Sequence, residues 1–195
     1  MMCASMSFAF GQKKGDKVSK VITSEIQWWG HKIVKTVPTA HTGTLQLKSG
    51  KFNFDKTVLV DGEFIIDMRS LTVSDLGGDD QTKLTNELKG TNFFEVKKFP
   101  IAKFHLKRII PLANNEFNST VIGDLTIKGI RKTISFPANV HITQFTVDIQ
   151  SSKFSINRKD YKIVYQNSIK DYFIKDEMEI QFKLSTQKID NTRPL

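Results

Sequence analysis

Apolar side chains recur at every second residue through long stretches of this chain. In the segment 174–184, Ile174, Asp176, Met178, Ile180, Phe182 and Leu184 alternate with Lys175, Glu177, Glu179, Gln181 and Lys183, and apart from Asp176 at its start the first set is apolar. A period of two puts one set on the dry face of a strand and the other on the wet face, whereas a helix would scatter both around its axis. The same pattern sets Val58, Val60, Gly62, Phe64 and Ile66 against Thr57, Asp61, Glu63 and Asp67. It recurs where Ala102, Phe104 and Leu106 alternate with Lys103, His105 and Lys107. Further strands are expected over 18–27, 42–54, 117–128, 132–143 and 145–156, with Ser49-Gly50, Asn114-Asn115 and Lys128-Gly129 as turn signals. One segment breaks the period: Asp79-Asp80 can cap a short helix, Leu84 and Leu88 share a face, and Gly90 stands at its stop. Many antiparallel strands with a single buried face and one short helix near the middle predict an all-β fold, a closed barrel or a sandwich.

Composition narrows the partners. At 195 residues the chain fits one domain with a single core, and its lone cysteine, Cys3, cannot form an intrachain disulfide. The excess of 29 Lys and Arg over 20 Asp and Glu favours anionic partners. A basic run of Lys97, Lys98, Lys103, Lys107 and Arg108 reads either as a solvated outer face or as contact with an anionic membrane surface. Nucleic acid is not expected there, because Phe104 and Leu106 point away from Lys103 and Lys107 and leave no exposed stacking platform. The aromatic set, 15 Phe against 3 Tyr and 2 Trp, belongs in a core or a lipid pocket.

Residues 1–12 carry no charged side chain, and Ala9-Phe10-Gly11 has small residues where a signal peptidase looks for them. Residues 1–11 are therefore read as the tail of a secretory signal, with a loose cytosolic N-terminus as the alternative. A periplasmic or secreted location is expected, with one domain over 17–184 and a C-terminal tail over 185–195.

Catalytic signatures are missing: no Walker A loop, G-x-S-x-G elbow, G-x-G-x-x-G or H-E-x-x-H occurs. His31, His41, His105 and His141 have no short ligand spacing, and one cysteine cannot build a Cys-based zinc site. Gly77-Gly78-Asp79-Asp80 lacks the alternating ligands of a calcium loop and is read as a turn plus cap. No catalytic residue, metal or cofactor is expected.

Several motifs in order carry a resemblance. They are Trp29-Gly30-His31-Lys32, His41-Thr42-Gly43, and Phe64 through Leu71, then Leu88-Lys89-Gly90-Thr91-Asn92-Phe93-Phe94 and Phe99 through Phe104. Gly123 through Gly129, Asn157 through Tyr161, and Ile174-Lys175-Asp176 follow. In order and spacing the chain resembles the YceI-like family of lipocalin-like proteins over nearly all of 17–184. The resemblance implies an elongated eight-stranded antiparallel barrel with an apolar cavity. It also implies a periplasmic or secreted binder of polyisoprenoids, isoprenoid quinones or fatty-acyl compounds, often a dimer. Glu87 and Lys162 depart from the family pattern, which usually has His and Gly there, and both bear on headgroup chemistry.

Alternation then names the lining: Phe64, Ile66, Phe104, Leu106, Leu125, Ile127, Ile180 and Phe182, each of which ordinary core packing also explains. A polar head is assigned to Trp29, His31 and Lys32, with Arg158 and Tyr161 from another loop. Arg158 has an alternative role, bracing the barrel against a carboxylate such as Asp67. Burying one CH₂ contributes roughly 0.8 kcal/mol, so a few isoprene units offset the ~4–15 kcal/mol cost of immobilising a ligand without a conspicuous polar motif. The competing readings are a lipid-modifying enzyme on the same barrel and a basic interaction or stress-protection module with a vestigial pocket.

Overall fold

A computed structural model describes residues 17–113, 116–144, 146–165 and 172–188. The proposed signal tail and Cys3 lie outside the described residues, as does the end of the C-terminal tail. The strands are β1 (Lys17–Val34), β2 (Val37–Asp55), β3 (Val58–Val73), β4 (Ile101–Pro111), β5 (Ser119–Ile127), β6 (Ile130–Ile142), β7 (Val147–Ser151), β8 (Phe154–Asn157) and β9 (Tyr172–Lys188). Helix α1 (Gly78–Lys89) connects β3 to β4, and a 3₁₀ turn (Arg158–Tyr161) follows β8. All strands form one antiparallel sheet in the order β1-β2-β3-β4-β5-β6-β7-β9-β8, which closes because β1 pairs with β2 on one side and β9 on the other.

The result is the eight-stranded antiparallel barrel with one helix, although nine strand segments are present. β7 and β8 are two parts of one stave, since β7 pairs with β9 at 183–185 and β8 with β9 at 177–180. The break explains why a single strand over 145–156 was a simplification. Val147, Ile149 and Ser151 are buried, but after two residues the inward set resumes at Phe154 and Ile156. The extra residue inverts the parity, so the stave has to bend at Ser152 and Lys153. Ser152 N–H to Pro137 O (2.9 Å) and Phe182 N–H to Ser151 Oγ (2.9 Å) hold the bend in place.

Other expectations shift for similar reasons. Val58 and Val60 lie at the end of the barrel beside the β2–β3 turn and are 64% and 39% exposed, so the dry face of β3 begins only at Gly62. Ser49-Gly50 is not a turn; it sits inside β2 beside a register shift against β3. β9 runs past Leu184 to Lys188 and pairs there with the start of β1. In α1 the N-cap is Gly77, and Asp79 and Asp80 occupy the first turn, where they complement the helix dipole instead of capping it. Gly90 does end the helix, its N–H bonding Glu87 O. The helix is tied to the end of β3 by Gln81 Nε2–H to Val73 O (2.7 Å) and Val73 N–H to Thr85 Oγ1 (3.2 Å).

The outer face of β4–β6 is solvated and cross-linked. Lys107 Nζ and Thr133 Oγ1 each donate to Asp124 at 2.7 Å, joining three strands, and the Lys107 and Thr133 hydrogen bonds hold the Asp124 carboxyl below the usual carboxylate range. Inside, glycines make room for rings. A Cβ on Gly123 would collide with the Phe104 ring and come within 2.6 Å of His105 O. Gly123→Ala should therefore lower stability in urea denaturation by roughly 1–3 kcal/mol through overpacking. Gly77→Ser, with nothing within 4 Å of the added Cβ, should be neutral or slightly stabilising because serine caps helices well.

Candidate functional site

The inward side chains leave an apolar cavity of about 200 Å³. Its deep end is built of phenylalanines, one from nearly every stave. Phe136 on β6 is the hub: it stacks on Phe154 at 4.3 Å, meets Phe182 edge-on at 5.5 Å and lies 5.9 Å from Phe104. Phe64 continues the set, edge-on to Phe52 at 5.0 Å. These are separations at which aromatic pairs attract beyond simple burial. All eight lining residues expected from alternation border the cavity. Phe52, Phe136 and Phe154 border it too and were missed. Phe136 was legible, since Ile134, Phe136 and Ala138 alternate with Thr133, Ser135 and Pro137; Phe154 was hidden by the parity change.

The mouth is formed by β1, β2, β9 and α1, whose Leu84 and Leu88 border the cavity. On β1, Trp28 faces in, and Trp29, the residue expected at the head, faces out. Trp29 shares its face with Glu25 and Gln27, and its ring lies 3.8 Å from Lys153 Nζ, outside the cavity. The Trp28 ring fits because its partner on β2 is Gly43, where a Cβ would lie 2.5 Å from the indole and clash with Thr72 O.

A register shift of β1 against β9 between Gly30 and Lys32 lets the consecutive His31 and Lys32 both border the cavity. His31 Nε2–H donates to Glu179 at 2.8 Å. Lys32 Nζ donates to His41 Nε2 at 2.8 Å, and His41 Nδ1–H donates to Asp75 Oδ2 at 2.9 Å. Burial alone would raise the Asp75 carboxyl, but the Thr42 N–H (3.0 Å) and the His41 ring outweigh it and hold Asp75 below its ordinary value.

The other two expected head residues are engaged within the protein or lie off the cavity. Arg158 borders the cavity, but its guanidinium donates to Lys175 O (3.2 Å) and Ile163 O (2.7 Å) and pairs with Asp176 (2.9 Å). It is a brace, and its carboxylate is Asp176; Asp67 instead pairs with Arg69 at 2.9 Å. Tyr161 does not border the cavity. It closes the 3₁₀ turn within the second core cluster, 1% exposed, and burial, with the nearby Asp160 charge, pushes its hydroxyl up to about 12. Among the described residues, no three His, Cys, Asp or Glu side chains converge as a metal site. No described helix is long and apolar enough to cross a membrane.

Comparisons with known proteins agree with this geometry. The family model "YceI-like domain" matches residues 18–186. The fold is similar to BcnA of Burkholderia cenocepacia, at 24% identity and a TM-score of 0.60, over 83% of this chain and 95% of that one. It is also similar to a polyisoprenoid-binding domain of Saccharophagus degradans implicated in plant cell wall breakdown. That match has 15% identity and a TM-score of 0.56, over 87% of this chain and 97% of that one. No curated protein matches the chain.

Two predictions follow from the site. Phe104→Asp puts a carboxylate into an apolar interior at a cost of several kcal/mol, so thermal unfolding should show a large loss. Lys103→Glu on the opposite face should change stability by ~0.5 kcal/mol or less. The second concerns acid. The Lys159 hydrogen bond, with the Lys159 and Arg158 charges, outweighs burial and holds the Asp176 carboxyl below its ordinary value. A lowered folded pKa stabilises above the unfolded value of about 3.9 and is lost as pH falls through the folded value. Urea midpoints should therefore fall steeply below about pH 4, and Asp176→Asn should lower the neutral-pH midpoint while flattening that acid limb.

Proposed function

We propose, since this chain belongs to the YceI-like family, that its barrel is a non-enzymatic container that binds, stores or carries a long-chain lipid. The observation that carries this reading is the lining: a closed barrel with an apolar interior cavity whose polar side chains are few. Such a surface gains affinity from chain length, at roughly 0.8 kcal/mol per buried CH₂, and needs no exact polar contact. An isoprenoid, an isoprenoid quinone or a fatty-acyl chain fits this chemistry. The similarity to a polyisoprenoid-binding domain supports the first two, and the family's usual location supports the periplasm or a secreted state. The mouth also suits loading from an anionic membrane. Val37 and Phe173 there are 58% and 64% exposed, and Lys35 and Lys175 are exposed beside them in sequence.

Organic extraction of purified protein followed by mass spectrometry should release a long-chain prenyl or acyl species, and stripped protein should rebind it. Protein that carries no lipid and takes up none when challenged overturns the container. A bound lipid whose mass changes with time on the protein overturns the non-enzymatic part and favours the lipid-modifying alternative.

A further inference from the structure

We infer that the cavity has a second opening, through the barrel wall between β1 and β2, and that the protein takes prenyl chains longer than the barrel, whose tail leaves there. The inference rests on the container reading and specifies the length of what is held. Its first support is an interruption in the wall. β1 pairs with β2 at 17–20 and again at 26–34, and between those blocks no pair joins 21–25 to 46–50. The register is the same on both sides of the gap, with Lys20 opposite Lys51 and Ile26 opposite Leu45, so neither strand has slipped past the other. Both strands are also irregular at that level against their other neighbours. β1 shifts against β9 between Val21 and Thr23, and β2 shifts against β3 between Leu47 and Ser49. Ile22, Thr23, Lys48 and Ser49 are all exposed. One level of the wall therefore sends no side chain into the barrel from either strand, as bulges on facing strands allow.

The second support is where the cavity leads. At the end away from the mouth the barrel is filled: Phe52, Phe54, Phe136, Ala138 and Val147 are at most 2% exposed. A chain descending from the mouth would have to displace packed rings to continue along the axis. The cavity reaches the wall instead. Ser24 lies on the inward face of β1, as Ile26 and Trp28 do, yet it is exposed and borders the cavity. Lys183, exposed between the inward Phe182 and Leu184, borders it from the neighbouring stave, where its partner on β1 is Glu25. An inward and an outward residue meet the same space where that space passes through the wall. Ile22 stands in the gap, 59% exposed, an apolar step from the interior to the surface. From Ile174 to Leu184 the stave rises roughly 3.3 Å per residue at a tilt of ~35–45°, a depth of about 25 Å. A longer chain that leaves through the gap keeps its first part buried, and only the surplus lies outside.

The test uses two prenols with the same head: geranylgeraniol, short enough for the barrel depth, and solanesol, about twice as long. Each displaces a neutral fluorescent reporter from lipid-stripped protein. The wild type should bind solanesol at least as tightly as geranylgeraniol. Ser24→Trp sets a ring in the gap and should weaken solanesol about tenfold or more while leaving geranylgeraniol within about twofold. Gln27→Trp, on the outer face where β1 and β2 are paired, should change neither, and circular dichroism checks that both variants are folded. A measurement on the wild type needs no variant: solanesol carrying a photoreactive diazirine on its last unit should label 21–25 or 46–50, located by mass spectrometry. Much weaker binding of solanesol than of geranylgeraniol by the wild type overturns the opening and leaves the container intact. So does a Ser24→Trp variant that weakens both prenols alike or neither, or a label that falls inside the barrel. Failure of both prenols and of hexadecanoate to bind overturns the container as well.

Discussion

Strand β1 pairs with β2 along one edge, at 17–20 and 26–34, and with β9 along the other. That double pairing closes the sheet, and everything else in the molecule depends on the closure. A closed sheet has no open edge to template association, and it gives every stave an inner face with an opposing wall. The alternation of apolar and polar residues thereby becomes a lined interior and a solvated exterior. The same pairing places the mouth, because Trp28, Gly30, His31 and Lys32 on β1 stand between His41 of β2 and Ile174 and Met178 of β9.

Within the closed barrel, the balance between filling and emptiness is steric. Phenylalanines from different staves interlock around Phe136 at the deep end, and glycines sit where a ring crosses a neighbouring strand. A Cβ at Gly62 would lie 2.7 Å from the Phe52 ring, and one at Gly50 would lie 2.8 Å from Phe64. A second cluster around Met68, Leu71, Phe93, Phe94 and Tyr161 packs the region beneath the helix and the 3₁₀ turn. Arg158 closes this flank by joining the turn to β9 through Lys175 O and Asp176, and it also bonds Ile163 O just after the turn. Removing either partner would leave the other partly buried and unmatched, which is why such a pair braces a fold more by specificity than by net energy. The remaining space is the cavity.

Irregularities place the polar groups. The shift in β1 after Gly30 sets the consecutive residues His31 and Lys32 at the cavity border, and the extra residue at the β7–β8 bend carries Lys153 to the outside, over Trp29 and near Glu179. A regular barrel would alternate strictly and hold neither arrangement. Bulges at barrel rims commonly re-aim side chains in this way.

Period-two alternation determined the strand content, and the inward set Phe64, Ile66, Phe104, Leu106, Leu125, Ile127, Ile180 and Phe182 followed from it because adjacent residues on a strand point to opposite faces. Gly90 marked the end of the helix for an equally local reason. What local pattern cannot carry is register and parity across a break. Trp28 and Trp29 are alike in composition, and only the wet face shared with Glu25 and Gln27 separates them; Phe154 faces inward only because the stave gains a residue before it. Partners distant in the chain are further out of reach: Arg158 found Asp176 and not Asp67, and Asp75 met His41 across 34 positions. Faces are set by neighbours in the chain and are written in the sequence, whereas pairings between staves are set by how the sheet closes, and closure exists only in the tertiary structure.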